Sequence, residues 1–271
     1  MIRATQPFST AAFQLCPADF SMPPRFFSAT PLPRHALPAS FTLPEDAAQH
    51  VRVLRLAVGD VITLFDGFAD EGEARACIVA LGKKTVEVEV SAWFARSVES
   101  SLHVTLVQAL AVGDKMDLIV QKAVELGAGQ IVPLRATRST LKLDGERAEK
   151  RVAHWNGVAV AACEQCGRNR VPEVTQVCGL EEALTMSGSA KPAAALLHPE
   201  GGIPLARWAA AHQGTPLAIL VGPEGGFTEQ EITQAVALGA ALVTLGPRVL
   251  RTETAGLAAI AALQATLGDL G

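Results

Sequence analysis

The sequence predicts an α/β protein in which a small β-barrel precedes a larger domain built on a parallel sheet. Short runs of alternating polarity, separated by tight turns, fill residues 61–93, as expected for a small barrel. From Leu102 onward, apolar strands alternate with helices, which is typical of a parallel sheet covered on both faces. With 271 residues, 49% of them hydrophobic, the chain can form two domains with substantial cores.

The first half contains one predicted helix and three predicted strands. The helix begins at Glu45, where the preceding Pro44 and two acidic residues are typical of a first turn. The strands are VITLF (61–65), EARACIVAL (73–81) and TVEVEVSAW (85–93). The polar segment 94–101 predicts a linker, so we expect domains at 22–95 and 100–271.

The second half repeats a strand–helix rhythm. Its predicted strands are 102–110, 130–134, 193–197, 217–221 and 241–245. Its predicted helices are 114–127, which Gly127 closes, 145–166, and the alanine-rich segment 255–267. A further helix should start after Thr228, because Glu231 follows three residues later, as in a capping box.

Several classes of protein are disfavoured by the sequence. No apolar run reaches the length of a membrane span. Five cysteines do not suit a disulfide framework, which favours a reducing cytoplasm. Residues 1–21 lack the features of a secretory signal; we expect a disordered extension, or a translation start at Met22. The single C-x-x-C motif, Cys163 to Cys166, ends a helix and supplies too few ligands for zinc, so no metal site is expected.

Positive charge is concentrated in one part of an otherwise acidic chain. The formal net charge is −4, yet residues 131–172 contain eight Lys or Arg against four acids. Such an excess is expected of a face that contacts phosphates. A solvated helix with internal ion pairs explains the same pattern, and both interpretations remain open at this point.

Three glycine- and proline-containing loops follow predicted strands: residues 196–202, 220–227 and 244–256. In parallel sheets, ligands bind beyond the carboxyl ends of the strands, and glycine allows a ligand to approach the backbone. The usual dinucleotide and P-loop signatures are absent, and Glu229 and Glu231 occupy the helix start that a phosphate would need. These features predict a nucleoside-like ligand without a phosphate chain; S-adenosylmethionine fits this description, whereas ATP and NAD do not.

Long motifs in both halves resemble the RsmE family. They are GDKMDLIVQKAVELG (113–127), RATRSTLKLDGERAEKRVAHW (135–155), EQCGRNRVPEV (164–174), AILVGPEGGF (218–227), LGPRVLRTETA (245–255), MPPRFF (22–27) and HVRVLRLAVGDVITLFDG (50–67). The resemblance runs from about Met22 to the end of the chain. Cys163, where alanine is more usual, is a small departure.

The resemblance implies an activity and a fold. Members of the family are bacterial 16S rRNA uridine N3-methyltransferases of the SPOUT superfamily, which use S-adenosylmethionine. The resemblance therefore implies a SPOUT domain with a carboxyl-terminal trefoil knot, preceded by a PUA-like barrel. It also implies that the protein is a cytoplasmic homodimer that binds 16S rRNA. Alternatives are a SPOUT methyltransferase with another nucleotide or atom as target, and a non-catalytic RNA-binding protein of this fold.

The resemblance also implies roles for particular residues. Arg251 is the candidate for stabilising charge on the uracil, although bracing the loop through Glu253 explains it as well. The residues expected to bind the cofactor are Leu197, His198, Gly222, Pro223, Glu224, Gly225, Gly226, Leu245, Gly246, Leu250 and Thr252. The residues expected to bind RNA are Arg25, Arg52, Arg55, Arg135, Arg138, Lys142 and Arg168.

Overall fold

The computed structural model describes residues 23–67, 72–185 and 192–271. The expected extension, residues 1–21, lies outside them. The first domain contains, in chain order, β1 (Arg25–Phe27), β2 (Ala39–Thr42), α1 (Glu45–Val53), β3 (Val61–Phe65), β4 (Glu73–Leu81) and β5 (Val86–Phe94). Within residues 23–67, 72–185 and 192–271, no helix combines the length and the apolar character that a membrane span requires.

The strands of the first domain form a five-stranded sheet in the order β1-β3-β4-β5-β2. β1 is parallel to β3, and the other pairs are antiparallel. The helix and the three strands predicted between 45 and 93 are confirmed. β1 and β2 were missed, because strands of three and four residues are too short to show a reliable alternation of polarity.

The second domain continues the strand–helix alternation. Its elements are β6 (Val104–Ala109), α2 (Lys115–Glu125), β7 (Gln130–Leu134), α3 (Gly145–Cys166), β8 (Glu173–Val174), α4 (Leu180–Thr185), β9 (Ala193–Leu197), β10 (Ile203–Pro204), α5 (Leu205–Ala210), β11 (Leu217–Val221), α6 (Glu229–Ala237), β12 (Ala241–Thr244) and α7 (Thr252–Leu267). The five predicted strands and the helices at 114–127, 145–166 and 255–267 are confirmed within a few residues. The short elements β8, α4, β10 and α5 were missed.

The second sheet has seven parallel strands in the order β10-β12-β9-β11-β6-β7-β8. Its central strand, β11, is buried at every position. Separate apolar cores cover the two faces of the sheet, one packed with α2, α3, α5 and α7, the other with α4 and α6. The expected α/β class, with a parallel sheet after a small β domain, is therefore confirmed; the threading of the trefoil knot stays a prediction.

Buried arginines hold the two domains together. The Arg25 guanidinium binds Glu73 within its own sheet and donates to Asn169 Oδ1 at 2.7 Å and to the Arg168 carbonyl, just beyond α3. Arg168 pairs with Glu99 at 2.7 Å. The side chains of Arg25 and Arg168 are only 4% and 6% exposed. Both guanidinium groups are paired inside the domain junction, and the expected role of these two arginines in binding RNA phosphates stays a prediction.

Candidate active site

A cavity of about 560 Å³ lies at the carboxyl edge of the parallel sheet. β9, β11 and β12 are neighbouring parallel strands, so the loops that follow them meet there. Arg251 and every residue predicted to bind the cofactor line this cavity. These are Leu197, His198, Gly222, Pro223, Glu224, Gly225, Gly226, Leu245, Gly246, Leu250 and Thr252.

The loop between β11 and α6 exposes its backbone to the cavity. Gly226 has φ +68°, a conformation that residues with a Cβ rarely adopt, and a Cβ built there would meet no protein atom within 4 Å. Immediately after it, Thr228 and Glu231 form a complete capping box at the start of α6. The predicted helix start is confirmed. The glycine-rich turn thus leaves open space on the cavity side rather than only reversing the chain.

A buried hydrogen-bond chain ties α7 to this loop. Gln108, at the end of β6, donates from Nε2 to Thr252 Oγ1 at 2.9 Å, and Thr252 donates to the Gly222 carbonyl at 2.6 Å. Gln108 is completely buried. Sequence reasoning missed it, although a lone amide in an otherwise apolar strand is a signal, because a buried amide needs partners.

A cation held by two carboxylates stands at the cavity wall. Lys115 Nζ lies 2.9 Å from Glu224 Oε1 and 3.3 Å from Glu253 Oε2. The hydrogen bond with Glu224 raises the pKa of Lys115, so the amine stays protonated. Burial alone would raise the pKa of Glu224, but its hydrogen bonds, that with Lys115 foremost, outweigh burial and lower it. Sequence reasoning missed Lys115; the signal was a lysine in the first turn of a helix, where the helix dipole disfavours cations.

Three arginines line the same cavity: Arg138, Arg248 and Arg251. Arg138, predicted to bind RNA, donates to the Gly225 carbonyl at 3.0 Å and to the Phe227 carbonyl at 3.4 Å, and so clamps the glycine-rich loop. Arg251 is exposed, and its side chain makes no hydrogen bond or ion pair with the described part of the chain. Because Glu253 pairs with Lys115, the alternative that Arg251 braces the loop through Glu253 loses its support.

The other residues predicted to bind RNA lie away from the cavity. Arg52 spans from α1 to the carbonyls of Gly82 and Thr85, and Arg55 is exposed just after α1. Arg135 and Lys142 are exposed on the segment between β7 and α3. Arg52 and Arg55 belong to the first domain, whereas Lys142 donates from Nζ to the carbonyl of Thr137 at 3.3 Å, beside Arg138.

The remaining candidates from the sequence have structural contacts. His198 is anchored to its own loop, since its Nδ1 contacts both the backbone nitrogen and the carbonyl of Glu200. Burial raises the pKa of the Cys163 thiol to about 12, so this thiol stays protonated and unreactive.

The residues of the cavity fit S-adenosylmethionine. Three half-buried leucines, Leu197, Leu245 and Leu250, offer apolar surface to an adenine ring. The carboxylates of Glu224 and Glu253 provide negative potential for a sulfonium or ammonium group. Glu231 occupies the first turn of α6, where a phosphate chain would otherwise bind.

Two family models match the chain. One, described as an RNA methyltransferase domain, matches residues 98–264; the other, described as an RNA methyltransferase PUA domain, matches residues 43–91. The fold and the cavity thus define an RNA methyltransferase with an amino-terminal PUA domain.

Individual relatives specify the family. The chain is 34% identical over 232 residues to the ribosomal RNA small subunit methyltransferase E of Bacillus subtilis, which covers 83% of this chain and 89% of that protein. The enzyme of the same name from Neisseria gonorrhoeae, crystallised with S-adenosylmethionine, is 38% identical with TM-score 0.83, over 92% of this chain and 100% of that one. A Legionella pneumophila methyltransferase with bound S-adenosylmethionine is 35% identical, with the same TM-score and coverage. The chain belongs to the ribosomal RNA small subunit methyltransferase E family.

Proposed function

We propose that this protein transfers the methyl group of S-adenosylmethionine to N3 of a specific uridine in bacterial 16S rRNA. The observation that carries the proposal is the cavity at the carboxyl edge of the sheet, lined by all the expected cofactor residues and by an unpaired arginine. The similarity to small subunit methyltransferases along most of the chain supports rRNA as the substrate.

The chain's own residues bind and orient the cofactor. Gly222, Gly226 and Leu245 present their backbone to it, and Thr252 fixes the Gly222 carbonyl through a 2.6 Å hydrogen bond. Arg138 holds the glycine-rich loop through the carbonyls of Gly225 and Phe227. When bound, the cofactor supplies an activated methyl group on a sulfonium, so alignment with the nucleophile provides most of the acceleration.

Arg251 acts on the uridine. Uracil N3 carries a proton at neutral pH, and as this proton passes to solvent water, negative charge develops on O2 and O4. N3 would then bond to the methyl carbon while the bond from that carbon to the sulfonium sulfur breaks. The exposed, unpaired Arg251 guanidinium at the cavity can stabilise that charge without first breaking another contact. The target uridine would have to flip out of its stack to reach Arg251 at this cavity.

The active form is a cytoplasmic homodimer that acts on the small ribosomal subunit, with a PUA-like domain at 22–95 and a SPOUT domain at 100–271. Within one chain, the first domain is joined to Arg168 and Asn169, beside the Ala128 carbonyl that precedes β7. That is the amino edge of the sheet, opposite the cavity. The first domain of a partner can therefore present RNA to this cavity, and Val249, an apolar side chain 79% exposed beside it, suits a subunit contact.

The test uses purified protein and 16S rRNA from a bacterial strain that lacks the corresponding enzyme. Incubation with S-adenosylmethionine, nuclease digestion and mass spectrometry of the nucleosides should reveal 3-methyluridine, at one position of the sequence. Omission of the cofactor serves as the control.

Other products would replace the proposal by one of its alternatives. A different methylated nucleoside would indicate a methyltransferase with another target atom. Absence of methylation, together with rRNA binding but no calorimetric binding of S-adenosylmethionine, would indicate a non-catalytic RNA-binding protein.

A further inference from the structure

A second cavity, of about 180 Å³, lies on the outer face of the first-domain sheet. The register pairs Arg25 with Thr63 and Thr63 with Arg75, so these residues stand side by side on three neighbouring strands. Phe94, at the end of β5, and Arg96, in the following segment, complete one wall. Apart from Arg25, which the sequence suggests as an RNA contact, no residue lining this cavity has been assigned a binding role above.

The described lining of the cavity is positively charged. It contains three guanidinium groups, those of Arg25, Arg75 and Arg96, and one carboxylate, that of Glu73. Glu73 is shared, since it pairs with Arg25 and accepts from Arg96 Nη1 at 3.1 Å. Arg75 has no ion pair among the described residues, and the Arg96 side chain is 39% exposed. The guanidinium groups of Arg75 and Arg96 therefore remain accessible to a phosphate.

An aromatic ring stands beside these charges. Phe94 is 42% exposed, and the Arg75 guanidinium carbon lies 5.3 Å from the centroid of its ring. Unpaired bases of RNA stack on exposed aromatic rings and on guanidinium planes. The pair of Phe94 and Arg75 is therefore a stacking platform next to a cationic cavity.

The floor of the cavity is fixed before any ligand arrives. Arg25 binds Glu73, Asn169 and the Arg168 carbonyl, and its guanidinium carbon lies 4.9 Å from the centroid of the Phe65 ring. A wall held in this way loses little conformational entropy when a ligand binds.

We propose that this cavity is a subsite for one unpaired nucleotide of the RNA, with its base stacked on Phe94 and Arg75 and its phosphate beside Arg96. The inference rests on the proposed rRNA substrate. Since the first domain lies at the amino edge of the sheet, the subsite engages a nucleotide other than the methylated uridine of the same chain's cavity. It adds affinity and fixes the register of the RNA, and it has no part in the chemistry.

The test compares the binding of a fluorescein-labelled 16S rRNA transcript to four variants at several salt concentrations. Phe94→Ala should lower the affinity about 5- to 150-fold, the range for loss of one stacked base, with an unchanged salt dependence. Phe94→Tyr should retain the affinity. Arg75→Ala should lower the affinity and reduce the slope of log affinity against log salt by roughly 0.7 to 0.9. Leu81→Ala, which trims a side chain 41% exposed in the same domain, is the matched control and should bind as the wild type does.

Circular dichroism and calorimetry with S-adenosylmethionine should be unchanged in all four variants, because these exposed side chains touch neither the core nor the first cavity. The subsite would be overturned if Phe94→Ala bound the transcript as tightly as the wild type does. It would also be overturned if uridine monophosphate or inorganic phosphate, at a concentration equal to that of the transcript, saturated the wild type and displaced the transcript. The methylation assay separates this inference from the proposed function. If the wild type methylates the rRNA and Phe94→Ala binds the transcript normally, only the subsite is disproved. If Phe94→Ala loses affinity for the transcript but the wild type methylates nothing, only the proposed function is disproved.

Discussion

Gly226 combines a positive φ with open space toward the first cavity. Gly226→Val should therefore have two effects. It should introduce backbone strain of about 1–2 kcal/mol, and it should place a branched side chain in the space proposed for the cofactor. We expect calorimetry to show a loss of S-adenosylmethionine affinity of more than roughly tenfold, since each 1.4 kcal/mol is a factor of ten. Affinity for rRNA should change little.

Gly214 supplies the control for strain alone. Its φ is +79°, no atom lies within 4 Å of a built Cβ, and it does not line the cavity. Gly214→Val should lose comparable stability but keep its cofactor affinity. Equal cofactor affinities in the two valine variants would remove the Gly226 loop from the site.

Substitutions of Arg251 can distinguish a role in the methyl transfer from a role in holding the loop. If it stabilises charge that exists only in the transition state, Arg251→Ala should lower the single-turnover methylation rate about 10²–10³-fold. Affinities for S-adenosylmethionine and rRNA should remain nearly unchanged, because the interaction is absent from the ground state. Arg251→Lys should restore part of the rate, since a point charge replaces only part of a planar guanidinium.

The opposite pattern would assign Arg251 to the loop. Loss of cofactor affinity together with a lower melting temperature in Arg251→Ala would indicate a bracing role. A normal single-turnover rate would leave it without a part in the reaction.

At the scale of elements, we expect the residues of the basic segment between β7 and α3 to have two different roles. The exposed Arg135 and Lys142 have weak contacts, such as the surface ion pair of Arg135 with Asp144 at 3.2 Å. Replacing both with Ala should weaken rRNA binding and lower the salt slope by roughly 1.4 to 1.8, while cofactor affinity stays constant. Filter binding at several salt concentrations measures the slope; an unaltered slope would mean that these charges only solvate the surface.

Arg138 should behave differently from its two neighbours. The sequence alone predicts an effect on RNA only, but its hydrogen bonds hold the carbonyls of Gly225 and Phe227. Arg138→Ala should therefore weaken S-adenosylmethionine binding in calorimetry. Unchanged cofactor affinity would show that the loop keeps its shape without this clamp.

Glu231 links α6 to the basic segment and confers a pH dependence. It accepts hydrogen bonds from the Thr228 and Thr137 backbone nitrogens, each at 2.8 Å. Burial alone would raise the pKa of Glu231, but these hydrogen bonds outweigh burial and lower it from its ordinary 4.5. Its contribution to stability is therefore present above pH 4.5 and is lost as the pH falls through the lowered value.

Glu231→Gln should reduce the free energy of unfolding by about 1–3 kcal/mol at neutral pH, because hydrogen bonds to a charged acceptor are lost. Urea titrations should show this difference shrinking below pH 4.5. Glu229→Gln, an exposed change in the same first turn, is the control and should cost less than about 0.5 kcal/mol. A difference independent of pH would mean that the carboxylate charge is irrelevant.

For the whole molecule, the domain junction depends on the buried pair of Arg168 and Glu99. Arg168 also donates to the carbonyls of Val124 and Ala128, so its removal leaves several buried acceptors unpaired. Arg168→Ala should lower the free energy of unfolding by about 3–5 kcal/mol in urea titrations. The exposed Arg147→Ala should change it by less than about 0.5 kcal/mol.

The same variant tests the role first expected for Arg168. If its guanidinium only joins the domains, the salt slope of rRNA binding should equal that of the wild type. A slope lowered by roughly one charge would return Arg168 to the RNA-contacting residues.

The sequence by itself determined most of the regular elements, the class of sheet and the edge where the residues expected to bind the cofactor meet. Apolar runs such as 217–221 fix strands locally, the capping pair Thr228 and Glu231 fixes a helix start, and parallel strands bring their carboxyl ends to one edge whatever their order. Family motifs along most of the chain added the activity.

Only the tertiary structure decided which cations are free. Arg25 and Asn169 are 144 positions apart, as are Gln108 and Thr252, and no local pattern encodes contacts that arise when separate domains or strands pack together. Arg25 and Arg168, which the sequence suggests as RNA contacts, form buried contacts in the domain junction. Arg138 binds the backbone of the glycine-rich loop, and Lys115, which the sequence did not single out, lines the first cavity. The physical reason is that the charge of an arginine is a property of the sequence, whereas its burial and its partners are properties of the packed chain.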